Sequence, residues 1–283
     1  MPASLIQCVV VLFKQSPMQA LSLSSLLQIC AEDPAIQHKI KILVQDNSPE
    51  APLSNPSLGS DRFEYFHAPT NPGLADAYNR ALSIAKSDGI PWLLTLDQDT
   101  FLDRHFLVQL LAALESGEAG QACAYVPELV KDGLVLSPQI AGRVLYHRIP
   151  LGFSGFSAKR LVAFNSAACL SVPALVAIGG FPREYWLDYL DHIVFYRLQA
   201  AAGRVYVLNS QLAHSLSMQD IESEVSIERY TNVLAAEWRF VRDSSSALGS
   251  IIHRLRLLKR ALVHALTLKD KSYAIRTIHA AIR

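Results

Sequence analysis

The sequence predicts an α/β fold in which a mostly parallel, doubly wound sheet is flanked by helices. Three observations predict it: short apolar runs alternate with helical periodicity over residues 1–100, the links between them are short, and 51% of the 283 residues are hydrophobic. A charged fraction of 18% excludes a disordered chain. The net charge of +1 excludes a globally basic nucleic-acid binder, so we expect no nucleic-acid partner.

The N-terminal elements follow from their local sequence. Ile6–Phe13 is continuously apolar, which is typical of a strand covered on both faces. A helix is then expected to start with Ser16 as its cap, Pro17 at its first position and Gln19 three residues after the cap. A second helix is expected after the turn at Asn71–Gly73. The other short apolar runs are predicted strands: Ile40–Val44, Phe63–Phe66 and Trp92–Leu96.

The pattern is less regular beyond about residue 120. An uncharged stretch at 161–182 has the length of a membrane span, but Pro173 and several polar residues divide it. A buried strand at about 162–172 followed by a short helix fits better. Residues 152–156 resemble a mobile loop. The last predicted elements are a helix over Asp188–Ala202, a strand over Arg204–Leu208 and helices from Ile227 onward.

We expect residues 1–225 to form the main domain and residues 226–283 a helical, basic C-terminal extension. Residues 251–283 carry eight Lys or Arg and one acid, with leucines at helical spacing from Leu255 to Leu266. Such a helix can lie on an anionic membrane surface. The alternatives are packing on its own domain or on a second subunit as a homo-oligomer.

Cysteine usage and the N-terminus point to the cytoplasm. The four cysteines are scattered without CxxC spacing, which argues against a zinc site and a disulfide framework. Ser4–Phe13 is apolar and β-branched and has no charged segment before it, so it is interpreted as a strand rather than a signal peptide.

Acidic residues follow two predicted strands, at the sheet edge where α/β proteins bind ligands. Asp46 follows the second strand, and Asp97 and Asp99 follow the fourth. Residues two apart on an extended segment face one side, so Asp97 and Asp99 can flank one cation, and Mg²⁺ or Mn²⁺ joins such carboxylates to phosphates. The alternative is a helix cap by Asp99 or Thr100.

Two other acids, Asp188 and Asp191, lie three residues apart at a predicted helix start, where the helix dipole favours their charged forms. One of them could act as a general base. Alternatively, Asp188 caps the helix and Asp191 only favours its first turn. His214 follows a predicted strand, and a lone histidine beside apolar residues is more often structural.

Together these segments resemble the inverting glycosyltransferases of family 2, which have the GT-A fold. Among them, the chain is most similar to rhamnosyltransferases of bacterial surface-polysaccharide (O-antigen) pathways, and the form Leu96–Thr100 most suggests that branch. The resemblance covers about residues 5–240. The matching segments occur in the family's order: Val9–Phe13, Val44–Ser48, Asn71–Asn79, Leu96–Thr100, Gly179–Phe181, Leu187–Asp191, His214 and Glu228–Tyr230.

The resemblance implies a role for each motif, with a nucleotide-binding half at about 1–100 and an acceptor-binding half at about 101–225. Asp46 would bind the pyrimidine base, Asp97 the ribose or metal, and Asp99 the Mg²⁺ or Mn²⁺ that bridges the diphosphate. His214 would approach that metal from the other side, and Asp191 would deprotonate the acceptor hydroxyl. The remaining substrate-binding residues would be Asn47, Asn71, Gly73, Asn79, Gln98, Trp186 and Asp188.

The implied reaction is metal-dependent, inverting transfer of a sugar, rhamnose from dTDP-rhamnose, to a glycan or lipid-linked glycan at the cytoplasmic face of the membrane. The alternatives are a UDP-hexose donor or a catalytically silent scaffold. Two departures from the family's pattern fall on the acceptor side. Ile193 replaces a frequent acid, and Asn165–Ala168 replaces a small-residue stretch that usually reads Ser-Ser-Gly.

Overall fold

The computed structural model describes residues 4–50, 62–116, 122–142, 146–214 and 225–282. The chain divides into two compact units: residues 1–141 with 146–215, and residues 142–145 with 216–283. Within the described ranges, no helix combines the length and the apolar character needed to cross a bilayer.

The elements of the first unit alternate along the chain. Its strands are β1 (Ile6–Leu12), β2 (Ile40–Asp46), β3 (Phe63–His67), β4 (Trp92–Asp97), β5 (Ala122–Lys131), β6 (Leu134–Ser137), β7 (Gln139–Ala141), β8 (Tyr146–Arg148), β9 (Gly155–Phe156), β10 (Leu161–Val162), β11 (Ala168–Ser171) and β12 (Arg204–Ala213). Its helices are α1 (Leu21–Glu32), α2 (Pro34–Lys39), α3 (Leu74–Ser87), α4 (Arg104–Glu115), α5 (Val172–Ala177) and α6 (Leu190–Ala200).

A nine-stranded sheet forms the centre of this unit, in the order β3-β2-β1-β4-β11-β5-β12-β9, with β6 paired to β5. The first four of these strands are parallel, as the sequence predicts. Beyond them the sheet is mixed, because β11 runs antiparallel to both β4 and β5, while β5 and β12 are parallel. The predicted α/β class with a large sheet flanked by helices is confirmed.

Burial explains why β1 lies at the centre. Every residue of β1 is buried, as expected of a strand covered on both faces. Ile6, Cys8, Val10 and Leu12 form one face of the strand and join the apolar residues of α1 and α4 in one core cluster. Such a core fixes the strand ends that carry the site.

The first helix begins later than the sequence predicts, with its cap at Ala20 rather than Ser16. Ser16 Oγ donates to Gln19 Oε1 at 2.9 Å, and Gln19 N donates to Ser16 O at 3.0 Å. The expected capping contacts therefore form, but they close a separate turn that ends before the helix starts.

The strand predicted over 162–172 is in fact two short strands, β10 and β11, separated by a turn in which Ala167 has a φ of 59°. The short helix follows as expected. Ser171 caps α5, since its Oγ accepts from Ala174 N at 3.3 Å.

The segment predicted to be a mobile loop is fastened instead. Gly155–Phe156 forms β9, which pairs with β12. The Glu128 carboxylate, 1% exposed, accepts from Gly152 N at 3.0 Å, Phe153 N at 3.1 Å and Gln211 Nε2 at 2.9 Å. A buried carboxylate with three donors holds this backbone in place.

The second unit is helical, as predicted, and contains α7 (Ile227–Ser244), α8 (Ala247–Thr267) and α9 (Ser272–Ile282). Its small core is built around Tyr230, Leu257 and Tyr273. Beside it, Arg260 donates two hydrogen bonds to the buried Glu237, at 2.7 and 3.0 Å. This bidentate pair joins α8 to α7.

Candidate active site

The carboxyl ends of three neighbouring parallel strands bring the predicted acidic residues to one edge of the sheet. In the register of the sheet, Leu12 of β1 pairs with Asp46 of β2, and Val11 pairs with Asp97 of β4. Asp46 and Asp97 are the last residues of their strands. The alternation of short strands and helices therefore places both acids where ligands bind in such sheets.

Asp97 is the electrostatic centre of this edge. Ser166 Oγ donates to its Oδ2, and Tyr78 OH donates to its Oδ1 at 3.4 Å. Loss of hydration raises the pKa of Asp97, the Ser166 hydrogen bond lowers it, and the charge of Asp99 raises it again. His214 and Asp191 also act on this carboxyl, which means that four of the predicted site residues lie within electrostatic range of one another.

The residues directly after β4 do not cap the next helix. The N-cap of α4 is Asp103, which accepts from Phe106 N at 2.7 Å, so neither Asp99 nor Thr100 is the N-cap residue. Gln98 Oε1 accepts from Phe13 N at 2.8 Å, which ties this segment to the end of β1. The capping alternative for Asp99 and Thr100 is thereby removed.

His214 comes directly after β12 and is linked to the same segment. Its Nδ1 lies 3.4 Å from the hydroxyl of the buried Thr100, and its backbone N donates to Val130 O at 3.1 Å. Its ring is 6.1 Å from that of Phe164. His214, at the end of a different strand of the sheet, therefore contacts the segment that follows β4.

Asp191 lies in the first turn of α6, close to the positive end of the helix dipole. Its Oδ1 accepts from His192 N at 2.7 Å and lies 2.7 Å from His192 Nδ1. The His192 ring packs against Tyr189 and Tyr146, at centroid distances of 4.7 and 5.2 Å. The carboxylate is thus oriented by a histidine that two aromatic rings hold.

Asp188 does not cap α6. The N-cap is Tyr189, which has a φ of 62° and makes no side-chain capping hydrogen bond. The capping interpretation of Asp188 was therefore wrong. Tyr78 connects this region with the sheet edge, since burial raises its pKa most and the charges of Asp97 and Asp191 raise it further.

Asp46 and Asn47 are both 2% exposed and are engaged with the protein itself. Asp46 accepts from Ser48 N at 2.9 Å and from Tyr65 OH at 2.7 Å. Burial and the Asp46 carboxylate both raise the pKa of Tyr65. Asn47 Nδ2 donates to Gly73 O at 3.4 Å, which links the end of β2 to the start of α3.

The Asn71–Gly73 turn is joined to the segment before α6. Trp186 Nε1 donates to Asn71 O at 3.1 Å, and Leu74 N donates to Trp186 O at 2.9 Å. Gly73 has φ 89° and ψ 179°, and a Cβ there would collide with Trp186. The turn therefore needs glycine at this position for its backbone and for its neighbour.

Asn79 bridges α3 to the Gly180-Phe181 turn. Its Nδ2 donates to Phe181 O at 2.7 Å, and its Oδ1 accepts from Phe181 N at 2.9 Å. A Cβ on Gly180 would lie 2.6 Å from Asn79 Oδ1. Asn79 and Gly180 thus form one close contact between segments that are 102 residues apart.

A family model matches part of the chain. Residues 22–155 match the model described as glycosyl transferase family 2. The match spans less than half of the chain, so it shows a likeness to this family over those residues. The matched segment includes Asp46, Asn79, Asp97 and Asp99.

The chain is also similar to solved structures. One is mannosyltransferase PcManGT from Pyrobaculum calidifontis in complex with GDP-Man and Mn²⁺, at 14% identity and a TM-score of 0.59, covering 99% of this chain and 80% of that chain. Another is TarS 1-349 of S. aureus in complex with UDP-GlcNAc, at 13% identity and a TM-score of 0.59, covering 98% of this chain and 80% of that chain. At these identities the likeness is one of fold, and it supports the GT-A assignment. No curated protein sequence matches the chain.

The donor atoms at this edge of the sheet suit a divalent cation. Mg²⁺ and Mn²⁺ prefer oxygen ligands and are commonly held by one or two carboxylates together with substrate phosphates. Asp97 and Asp99 supply two carboxylates. A cation there would also relieve the repulsion between these two acids. Over the described part of the chain, no three His, Cys, Asp or Glu side chains are grouped as a metal site by themselves.

Three contributors to the site were missed. Their contacts with the acids are not predicted from the sequence: Ser166 lies in the stretch that departs from the family's pattern, Tyr78 lies within the Asn71–Asn79 motif, and His192 lies beside Asp191. A signal for His192 was present, since it directly follows Asp191. No local signal marks the other two, because their contacts join residues 69 and 19 positions apart.

Proposed function

We propose that this glycosyltransferase is metal-dependent and inverting, and that it transfers rhamnose from dTDP-rhamnose to a glycan or lipid-linked glycan in bacterial surface-polysaccharide synthesis. The observation that carries the proposal is the electrostatic convergence of Asp97, Asp99, Asp191 and His214 at the carboxyl edge of the sheet. An acceptor of this kind would bring the enzyme to the inner face of the cytoplasmic membrane.

Asp99, with Asp97 and His214, would hold the Mg²⁺ or Mn²⁺. A divalent cation supplies charge neutralisation of the leaving diphosphate without a proton. Ser166 would keep the Asp97 carboxylate in position through its hydrogen bond. The Asn71–Gly73 turn, held by Trp186 and Asn47, would form the wall around the nucleotide.

Asp191 would accept the proton of the acceptor hydroxyl as that oxygen attacks the anomeric carbon. A single displacement inverts this centre, so one base suffices and no second carboxylate nucleophile is needed. His192 orients Asp191 at 2.7 Å. Ile193, where the family often has an acid, is 1% exposed and packs in the core, which leaves Asp191 as the base in this turn.

The donor sugar is the finer part of the proposal. The form Leu96-Asp97-Gln98-Asp99-Thr100 supports dTDP-rhamnose through the resemblance. The alternative is another nucleotide sugar, such as a UDP-hexose, and the structures of similar fold include one with GDP-Man and one with UDP-GlcNAc. Release of nucleoside diphosphate from dTDP-rhamnose, UDP-glucose and GDP-mannose, measured side by side, distinguishes them.

The test of the metal site compares Asp99→Ala with Asp88→Ala. Asp88 pairs with Lys41 at 2.6 Å on the surface of the protein, so its loss should leave transfer within about twofold. Asp99→Ala should lower transfer by roughly 100-fold or more, because the leaving group loses its neutralisation. It should also abolish the thermal stabilisation that Mn²⁺ with nucleoside diphosphate gives the wild type.

Equal rates for the two variants would refute the assigned metal site. If no nucleotide stabilised the wild-type protein with either Mg²⁺ or Mn²⁺, the catalytically silent scaffold would be favoured instead.

A further inference from the structure

Helix α8 has two apolar faces that point in opposite directions. One face is buried in the second unit and includes His253, Leu257 and His264. The other face, here named the outer stripe, is exposed by between 46% and 76% at each residue. Its members recur every three or four positions: Leu248, Ile251, Leu255, Leu258, Leu262 and Leu266.

The outer stripe is too large to be ordinary surface variation. It runs the length of α8, about 27 Å at 1.5 Å per residue. Contiguous exposed apolar surface of this kind marks a binding face in water-soluble proteins. Helix α9 repeats the arrangement, since Ile275, Ile278 and Ile282 are 51%, 43% and 67% exposed while Tyr273 is buried.

The charges around the outer stripe are of one sign. Helix α8 contains no acidic residue, and Asp270 is the single acid in residues 244–283, which also carry eight Lys or Arg. The exposed Lys259 lies at one border of the stripe by its helical position. At the other border Arg254 donates to Ala281 O at 3.5 Å and lies over the Trp238 ring. The face is therefore apolar along its middle and cationic at the Lys259 edge, on a helix without acids.

This charge pattern distinguishes between two partners that could cover the outer stripe, a second copy of the chain and an anionic membrane. A second copy of the chain would bring the same stripe in a two-fold contact, so cations would face cations with no acid on α8 to pair with them. Helices that pair with each other usually carry acids and bases on the flanking positions. An anionic lipid surface satisfies both the apolar middle and the positive charge at the Lys259 edge.

We propose that α8 lies in the plane of an anionic membrane, with the outer stripe in the boundary between headgroups and acyl chains and with Lys259 among the lipid phosphates. Helices that bind in this way rest on one leaflet, with their apolar face a few ångströms below the surface. This interaction goes beyond the proposed reaction, because it requires neither donor nor acceptor.

The test is flotation of the full-length protein with vesicles of phosphatidylcholine alone or with phosphatidylglycerol added. The wild type should float with the anionic vesicles, and rising salt should release it. Leu255→Gln with Leu262→Gln should lower partitioning by at least about tenfold, because two leucines leave the apolar phase. Lys259→Gln should lower it by about fivefold.

A matched control removes an exposed leucine elsewhere. Leu134 on β6 is 48% exposed, close to the 46% of Leu258, so Leu134→Gln should float like the wild type. Circular dichroism checks that every variant is folded. Stabilisation by nucleoside diphosphate with Mn²⁺ should be the same in all of them, which keeps membrane binding separate from the proposed reaction.

Two outcomes would overturn the proposal. One is that the wild type stays with the soluble fraction at every phosphatidylglycerol content, or that the double variant floats as well as the wild type. The other is a concentration-dependent dimer in sedimentation that the double variant dissociates, because a second copy would then occupy the outer stripe.

Discussion

Replacing Asn79 by Ala should destabilise the first unit more than it weakens donor binding. Asn79 donates to Phe181 O and accepts from Phe181 N, at 2.7 and 2.9 Å. Phe181 is 2% exposed, so water does not readily replace these partners. A buried polar group left without a partner costs about 1–3 kcal/mol, and two such groups give a loss of about 3 kcal/mol or somewhat more.

The assay is urea unfolding followed by intrinsic fluorescence, beside nucleotide binding of the folded variants. Asn79→Asp keeps the acceptor for Phe181 N but sets a carboxylate oxygen against Phe181 O, so it should not restore the stability that Asn79→Ala loses. Asn209→Ala, at an exposed position, should stay within about 0.5 kcal/mol of the wild type.

The opposite pattern would refute this reasoning. Unchanged unfolding of Asn79→Ala together with a large loss of nucleotide affinity would mean that Asn79 contacts the donor directly rather than bracing the Phe181 turn.

Three further predictions concern other parts of the molecule. Gly73→Ala should lower the free energy of unfolding, measured in urea, by more than about 3 kcal/mol, because its φ and ψ suit only glycine and a Cβ meets Trp186. As a control, Gly89→Ala should lower it by about 1 kcal/mol, since Gly89 has a φ of 67° and open space around it. Asp191→Asn should keep donor affinity within about twofold and lower the turnover rate by roughly 10²–10⁴, measured by steady-state kinetics. Burial lowers the pKa of His253, so the folded protein holds that proton less tightly than the unfolded chain, and stability is lost as the pH falls below about 6.5. Amide exchange in α7 and α8 at pH 7.5 and 5.5 should report this loss, and His253→Gln should reduce it.

The sequence predicts the parallel part of the sheet and the acids at its edge, because both depend on local patterns. A continuous apolar run such as β1 has few alternatives to a covered strand, and Asp97 directly follows another such run. Parallel strands then bring their carboxyl ends together, so the meeting of Asp46 and Asp97 at one edge follows from the order of elements.

The other parts of the fold depend on contacts between residues that are distant in the sequence, and local sequence patterns do not indicate such contacts. The two-residue strands β9 and β10 are too short for periodicity to reveal. The antiparallel position of β11 is set by its pairing with β4 and β5. The fastening of residues 152–156 depends on Glu128, whose buried carboxylate resembles any other acid in the sequence.

The carboxylate of Asp191 is oriented by the next residue in the chain, whereas that of Asp97 relies on Ser166, 69 positions away. The hydrogen bond to Asp191 is therefore local, although the distant Tyr146 helps to hold the histidine, while the orientation of Asp97 requires the sheet to be assembled. Changes in the loops around α6 can accumulate without loss of the contact between Asp191 and residue 192, provided that residue 192 stays histidine. Under the proposed function, the orientation of the base and the choice of acceptor can then diverge independently in descendants of this chain.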